Sequence, residues 1–202
     1  MKVLNHAVSG PDGGSNSNKI VDILGLRTLF PLFMKTPRKS QRKGLSVREH
    51  EEHIISILAG ILQHLTGQNR NRVVVKFEEN DFEKVERICE LHFKYLEKIN
   101  SVDKAIVEEM RNSGEQLDED EIYLRRLDGG LFTLQLIDYI ILDVSVANAV
   151  VKEKIRNVIQ LRRGSMETVR EIVKEYAQNI GDENKEWKAK QNQYIDNLIE
   201  QF

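Results

Sequence analysis

Residues 123–144 constrain the fold more than any other stretch of this chain: Tyr-Leu-Arg-Arg-Leu-Asp-Gly-Gly-Leu-Phe-Thr-Leu-Gln-Leu-Ile-Asp-Tyr-Ile-Ile-Leu-Asp-Val. At helical spacing, Leu127, Leu131, Leu134, Ile137, Ile141 and Val144 form one apolar stripe. Phe132, Leu136, Ile140 and Ala147 form a second. Only a narrow row with Gln135, Asp138 and Ser145 is polar. A helix apolar over so much of its circumference requires cover from neighbours on at least two sides. Asp and Gln interrupt it too often for a membrane span. The run therefore predicts the buried spine of a helical protein.

The rest of the sequence supports that class. Its 202 residues suffice for one domain or a short repeat array. Charged residues make up 31% and hydrophobic residues 40%, a balance that can bury a core. The nearest thing to a strand, Val73-Val74-Val75, is too short to decide anything. A formal net charge of -2 argues against a whole-molecule nucleic-acid binder. Cys89 is the only cysteine, so no intrachain disulfide forms, and a reducing compartment is expected. Met1 to Val8 reads as the tail of a helix rather than a signal peptide, which suggests a larger protein whose beginning is missing.

Helical segments follow one another along the chain. Residues 10–18 read as a Gly/Ser/Asn loop, with a short helix over 19–24 closed by Gly25 and another over 26–35 containing Pro31. Residues 35–45 form a basic loop. Ser46 and Glu49 fit a capping box, which starts a helix ending near Leu65 and Gly67. A shorter helix spans about 70–77. Asn80 caps the next, whose stripe continues to about 110, long against the globular average of about 11–12 residues, so that either one long helix or a break near Asn100-Ser101 fits. Three helices follow the spine, over about 150–163, 165–180 and 183–202. The last is mostly polar, as the closing layer of a solenoid must be. The rhythm of short, medium and long helix occurs twice before Asn148. It predicts an all-α, armadillo/HEAT-like α-solenoid, with repeats over residues 1–148 and a helical C-terminal cap over 149–202.

Gly25-Leu26-Arg27-Thr28-Leu29-Phe30-Pro31-Leu32-Phe33 resembles the second helix of an armadillo repeat, and residues 53–65 resemble the third, which ends Ala-Leu-x-Asn-Leu. Longer strings are more specific. Arg48-Glu49-His50-Glu51-Glu52-His53, Glu90-Leu91-His92-Phe93-Lys94-Tyr95-Leu96 and Lys174-Glu175-Tyr176-Ala177-Gln178-Asn179-Ile180-Gly181-Asp182 closely resemble the C-terminal part of the β-catenin-like protein 1 family. The resemblance covers essentially the whole chain. It implies a nuclear, non-enzymatic armadillo scaffold of the Prp-nineteen-type spliceosomal complex, with no cofactor. The partners it implies are splicing factors with basic segments, of the cell-division-cycle-five-like type, and in vertebrates the antibody-diversifying deaminase. An importin-like adaptor for basic localisation segments is the alternative. One departure bears on mechanism: armadillo grooves clamp peptide backbone with a third-helix Asn, whose amide both donates and accepts, and His64 stands at that position here.

Other candidates carry two readings each. His50 and His53, with Glu51 and Glu52 between them, sit three residues apart on a helix, but the zincin pattern needs four, and a solvated helix start is the preferred reading. Cys89 falls on an apolar stripe and reads as a buried small hydrophobe rather than a nucleophile. Gly129-Gly130 lies inside a predicted helix and reads as a close-packing site. In the basic loop, Lys35, Arg38, Lys39, Arg42 and Lys43 suit RNA phosphate or a localisation signal, and Thr36 and Ser40 suit phosphorylation. A solvated loop is the other reading. The acidic run Glu115, Asp118, Glu119, Asp120 and Glu121 can steer a basic partner, or can simply suit the positive end of a helix dipole. Gln135, Asp138 and Ser145 are a further candidate contact row.

Overall fold

The computed structural model describes residues 1–35, 46–114, 116–181 and 184–202. Among these there are eleven α-helices, one 3-10 turn and no strand. They run α1 (Lys2–Val8), α2 (Gly13–Asp22), α3 (Leu26–Met34), α4 (Val47–His64), α5 (Gly67–Val74), the 3-10 turn (Val75–Phe77), α6 (Glu79–Ser113), α7 (Glu119–Gly129), α8 (Leu131–Ala147), α9 (Ala149–Leu161), α10 (Met166–Gln178) and α11 (Lys185–Gln201). This is an all-α solenoid of the armadillo type. The helices α1, α4 and α8 form one row, each packed on the next, with α2 and α3 behind α4 and α6 behind α8.

The spine occupies the centre, as its two apolar stripes require. From Leu131 to Ser145 only Phe132 is exposed, and α8 is covered by α4, α6, α9 and α10. It is not one helix with the residues before it. Gly130 takes φ +111° and the chain bends by 73° between α7 and α8. Only glycine adopts that backbone without strain. The corner also presses on α6: a Cβ at Gly129 would lie 2.8 Å from Val102, and one at Gly130 3.1 Å from the Tyr95 ring. The close-packing expectation therefore holds for the glycine pair, but the helix interior does not.

Other departures have local causes. The chain turns helical at Gly13 rather than near residue 19. Gly13 allows the new helix to press on the Val8 carbonyl, where a Cβ would come within 2.4 Å, and Asn16 Nδ2 donates to the Ala7 carbonyl at 2.8 Å. Asn80 does not cap α6. Asn80, Asp81 and Phe82 are all left-handed, at φ 54°, 56° and 63°, and turn the chain out of the 3-10 segment. No break occurs at Asn100-Ser101, because Ser101 Oγ donates back to the Glu97 carbonyl at 2.9 Å and stays compatible with the helix.

The capping box forms as expected: Glu49 N–H donates to Ser46 Oγ at 3.1 Å, and Ser46 N–H to the Glu49 carboxylate at 2.7 Å. Gly25 and Gly164 each stand one residue beyond a left-handed C-terminal residue, Leu24 or Arg163. In both cases the glycine N–H closes the longer bond of a Schellman motif, to Ile20 and Ile159. These glycines supply closeness rather than a positive φ. A Cβ would meet the Ile20 carbonyl at 2.7 Å or the Phe93 ring at 2.8 Å.

The C-terminal helices double back over the inner row. Gln63 at the end of α4 donates to Tyr176 of α10 at 3.2 Å, and Tyr176 packs beside Phe132 and Tyr139 of α8. Trp187 at the start of α11 stacks on His64 with ring centroids 4.8 Å apart. Further along α11, Tyr194 joins Arg70 and Asp143.

Candidate protein-binding groove

Along the inner row a concavity of about 270 Å³ is open between the N-terminal halves of α4 and α8. Asn5 of α1 closes one side, Arg48, Glu52, His53 and Ser56 of α4 line the second, and Leu127, Phe132, Thr133 and Leu136 line the third. Helical periodicity brings these residues to one face: Arg48, Glu52 and Ser56 are each four apart. Phe132 is 48% exposed there, the only side chain of the central helix's first fifteen residues to escape burial. Arg48 donates to Glu52 at 2.6 Å and to the Asp128 carbonyl at 2.7 Å, so the charge at the mouth is balanced and the corner at α7 is fixed. The arrangement offers an exposed aromatic face beside amide and hydroxyl groups that both donate and accept. Groups of this kind can meet the backbone and the apolar side chains of a peptide segment.

His64 lies at the far end of α4, outside this concavity. Trp187 covers its ring, and burial pushes its pKa down against the raising effect of a hydrogen bond at the Gly10 carbonyl. The clamp position is thus filled from within the chain. Gln135, Asp138 and Ser145 form no contact surface, because all three are buried. The row is narrow enough for neighbouring helices to close over it, α6 reaching Asp138 through His92. Asp138 finds a partner inside through one oxygen, Oδ1, 2.6 Å from His92 Nδ1, while Oδ2 is buried without a hydrogen bond among the described residues.

The acidic run stays at the surface. Asp118 Oδ1 accepts from Glu121 N–H at 2.7 Å as the cap of α7, and Glu121 pairs with Arg125 at 2.7 Å. Glu119 and Asp120 remain exposed, and Glu115 lies outside the described residues. Lys35 is exposed at the end of α3. Thr36, Arg38, Lys39, Ser40, Arg42 and Lys43 lie outside the described residues. Neither Lys35 nor the acidic run converges on the concavity.

The start of α4 is not the solvated surface expected from its sequence. His50 and Glu51 are buried. His50 Nε2 donates to the Leu32 carbonyl at 3.0 Å. Glu51 accepts from Lys94 at 2.6 and 2.8 Å and from the Tyr95 hydroxyl at 3.2 Å. Cys89 is buried with His92 on the same helix, and burial together with the Asp138 charge pushes its thiol up to about 12. It carries essentially no thiolate at neutral pH.

Sequence reasoning missed the cluster of Arg70, Asp143 and Tyr194. Asp143 accepts from Arg70 Nη2 and from the Tyr194 hydroxyl, both at 2.8 Å. The available signal was a second aspartate on an otherwise apolar helix, off the row of Asp138. A carboxylate there must find buried partners.

A family model described as "Catenin-beta-like, Arm-motif containing nuclear" matches residues 1–174. Beta-catenin-like protein 1 of Bos taurus is 50% identical over 210 residues, covering 100% of this chain and 37% of the relative. The Homo sapiens protein of that name is 49% identical with the same coverage. The Beta-catenin-like protein 1 homolog of Schizosaccharomyces pombe is 26% identical over 199 residues, covering 96% of this chain and 34% of the relative. The chain thus spans little more than a third of the relatives it matches. A match over more than half the chain and the armadillo fold agree: the chain belongs to the catenin-beta-like, Arm-motif-containing family.

Proposed function

We propose that the chain serves as a non-enzymatic interaction scaffold in the nucleus, within a Prp-nineteen-type spliceosomal assembly, and that it holds segments of splicing-factor partners. The carrying observation is similarity to Beta-catenin-like protein 1 along the entire chain, joined to an armadillo row that leaves a small concavity open on its inner face. Basic partner segments of the cell-division-cycle-five-like type suit the exposed carboxylates Glu119 and Asp120, which add steering and on-rate more than affinity. Phe132 then supplies the buried anchor on contact. An importin-like adaptor is the weaker reading, because the Asn clamp is replaced by His64 under Trp187. The test is a pull-down from nuclear extract with the wild-type chain and with Phe132→Ala. Splicing factors should be recovered by the first and depleted with the second. Recovery of none by the wild-type chain removes the reading.

A further inference from the structure

A second groove lies away from the inner row, between α3 and the segment made of α5, the 3-10 turn and the start of α6. It consists of two adjoining concavities, of about 420 and 430 Å³, that share Leu26, Arg27, Lys76 and Glu79. The floor is apolar, with Leu26 and Phe30 buried beneath it. The rim keeps apolar side chains in water: Leu24 is 46% and Val75 50% exposed. Singly scattered apolar side chains carry no message, but these line one groove.

Its charge is one-sided. Arg27, Arg72, Lys76, Lys35 and Lys84 line it against Glu79 and Glu83. The two carboxylates are spent within the groove, Glu79 on Lys76 at 2.6 Å and Glu83 on Lys84 at 2.9 Å. Arg27 and Arg72 belong to no ion pair among the described residues. A chain with net charge -2 therefore presents a local positive surplus over an apolar floor.

Backbone strain marks both ends. Leu24 lines one concavity at φ +64°, and Asn80, first of three consecutive left-handed residues, lines the other. Among the described residues, Arg163 is the only other non-glycine residue with positive φ. Glycine at position 24 would close the same Schellman motif without strain. Leucine there holds an exposed isobutyl group at the rim. Strained residues of this kind concentrate at binding sites.

We propose that this groove docks an acidic segment of a partner protein carrying apolar anchors. Its carboxylates meet Arg27 and Arg72, and its apolar side chains lie against Leu24, Val75 and the floor. The groove shares no lining residue with the concavity between α4 and α8. Failure here and failure of the scaffold reading are thus separable.

The test is fluorescence anisotropy on the full chain at near-physiological salt, with a fluorescein-labelled Glu/Leu peptide as probe. Lys/Leu and Glu/Ser peptides and an oligouridylate serve as competitors. The Glu/Leu peptide should bind roughly tenfold more tightly than either control peptide. The double variant Arg27→Glu/Arg72→Glu should lose roughly tenfold in affinity with an unchanged Tm, and the milder Arg27→Gln/Arg72→Gln should fall between. Leu24→Gly should raise Tm yet weaken the peptide. Charge reversal of Arg162 and Arg163 should leave binding unaltered. Unchanged affinity in the Arg27/Arg72 variants overturns the proposal. So does an oligouridylate that binds more tightly and displaces the peptide, because the groove then serves RNA phosphate.

Discussion

His92 Nδ1 lies 2.6 Å from Asp138 Oδ1, with both side chains out of contact with solvent, and this contact fastens the long helix α6 to the central helix α8. The carboxylate only accepts, so Nδ1–H is the donor. Burial depresses His92, but the Asp138 charge and the hydrogen bond outweigh it, and His92 ends above its ordinary value. Removing one member leaves the other buried and unpaired. Asp138→Ala should therefore cost about 3–5 kcal/mol, while replacing both by leucine should come close to neutral. Urea unfolding at pH 7 checks both. A double replacement as damaging as the single one contradicts the account, since the pair would then be holding the fold by its polarity.

Asp143 makes stability depend on pH in a direction opposite to the usual carboxylate. Burial raises its pKa to about 6, against the lowering effects of the Arg70 charge and the bonds from Tyr194 and Arg70. The folded chain thus takes up this proton near pH 6, whereas the unfolded chain takes it up only near the ordinary value of 3.8. Stability from this group is fully present below pH 3.8 and is lost as pH rises through about 6. That interval corresponds to about 3 kcal/mol at roughly 1.4 kcal/mol per pH unit. Asp143→Asn removes the titration. The stability of the wild type minus that of Asp143→Asn should grow by about 2–3 kcal/mol between pH 7 and pH 4, measured by urea unfolding at several pH values. A flat difference is the contrary outcome.

How much of this was legible beforehand differs by residue. The spine, the capping box at Ser46 and Glu49 and the buried Cys89 followed from periodicity and local chemistry alone. The clusters around Glu51, Asp138 and Asp143 did not, because each polar residue takes its partner from another element: Lys94 and Tyr95, His92, and Arg70 with Tyr194. A helical pattern says that a residue lies off the apolar stripe. It cannot say that another helix brings a partner there. The same limit governs the concavity, whose walls come from α1, α4 and α8 across more than a hundred residues. His64 was visible as a departure from the armadillo clamp, but Trp187, which explains the departure, lies on the last helix.

Gly130 carries the corner between α7 and α8, and its replacement should be costly for two separate reasons. An L-residue at φ +111° is strained, and the new Cβ would sit 3.1 Å from the Tyr95 ring. Gly130→Ala should lose about 1–3 kcal/mol. Gly10→Ala serves as the comparison, because Gly10 has a milder positive φ of 74° and nothing lies within 4 Å of its Cβ position. Gly130→Ala should lower Tm more than Gly10→Ala, through the more extreme φ and the crowding at Tyr95 together. Equal shifts would contradict both contributions.

Trp187 should act as the local fastening of the last helix. Its ring stacks on His64, whereas the rest of α11 is held by Tyr194, Ile195, Leu198 and Phe202. Trp187→Ala should cost about 2 kcal/mol. In hydrogen exchange, amides at the start of α11 should lose protection before those near Tyr194 and before those of α8. His64 gives an independent check through pH. Burial lowers its pKa, so below pH 6.5 the unfolded chain binds the proton first and the folded state loses stability as pH falls. The advantage of the wild type over His64→Asn should therefore shrink on acidification below pH 6.5. If Trp187→Ala raises exchange equally throughout α8, α10 and α11, the last helix is part of one cooperative core rather than a separately fastened layer.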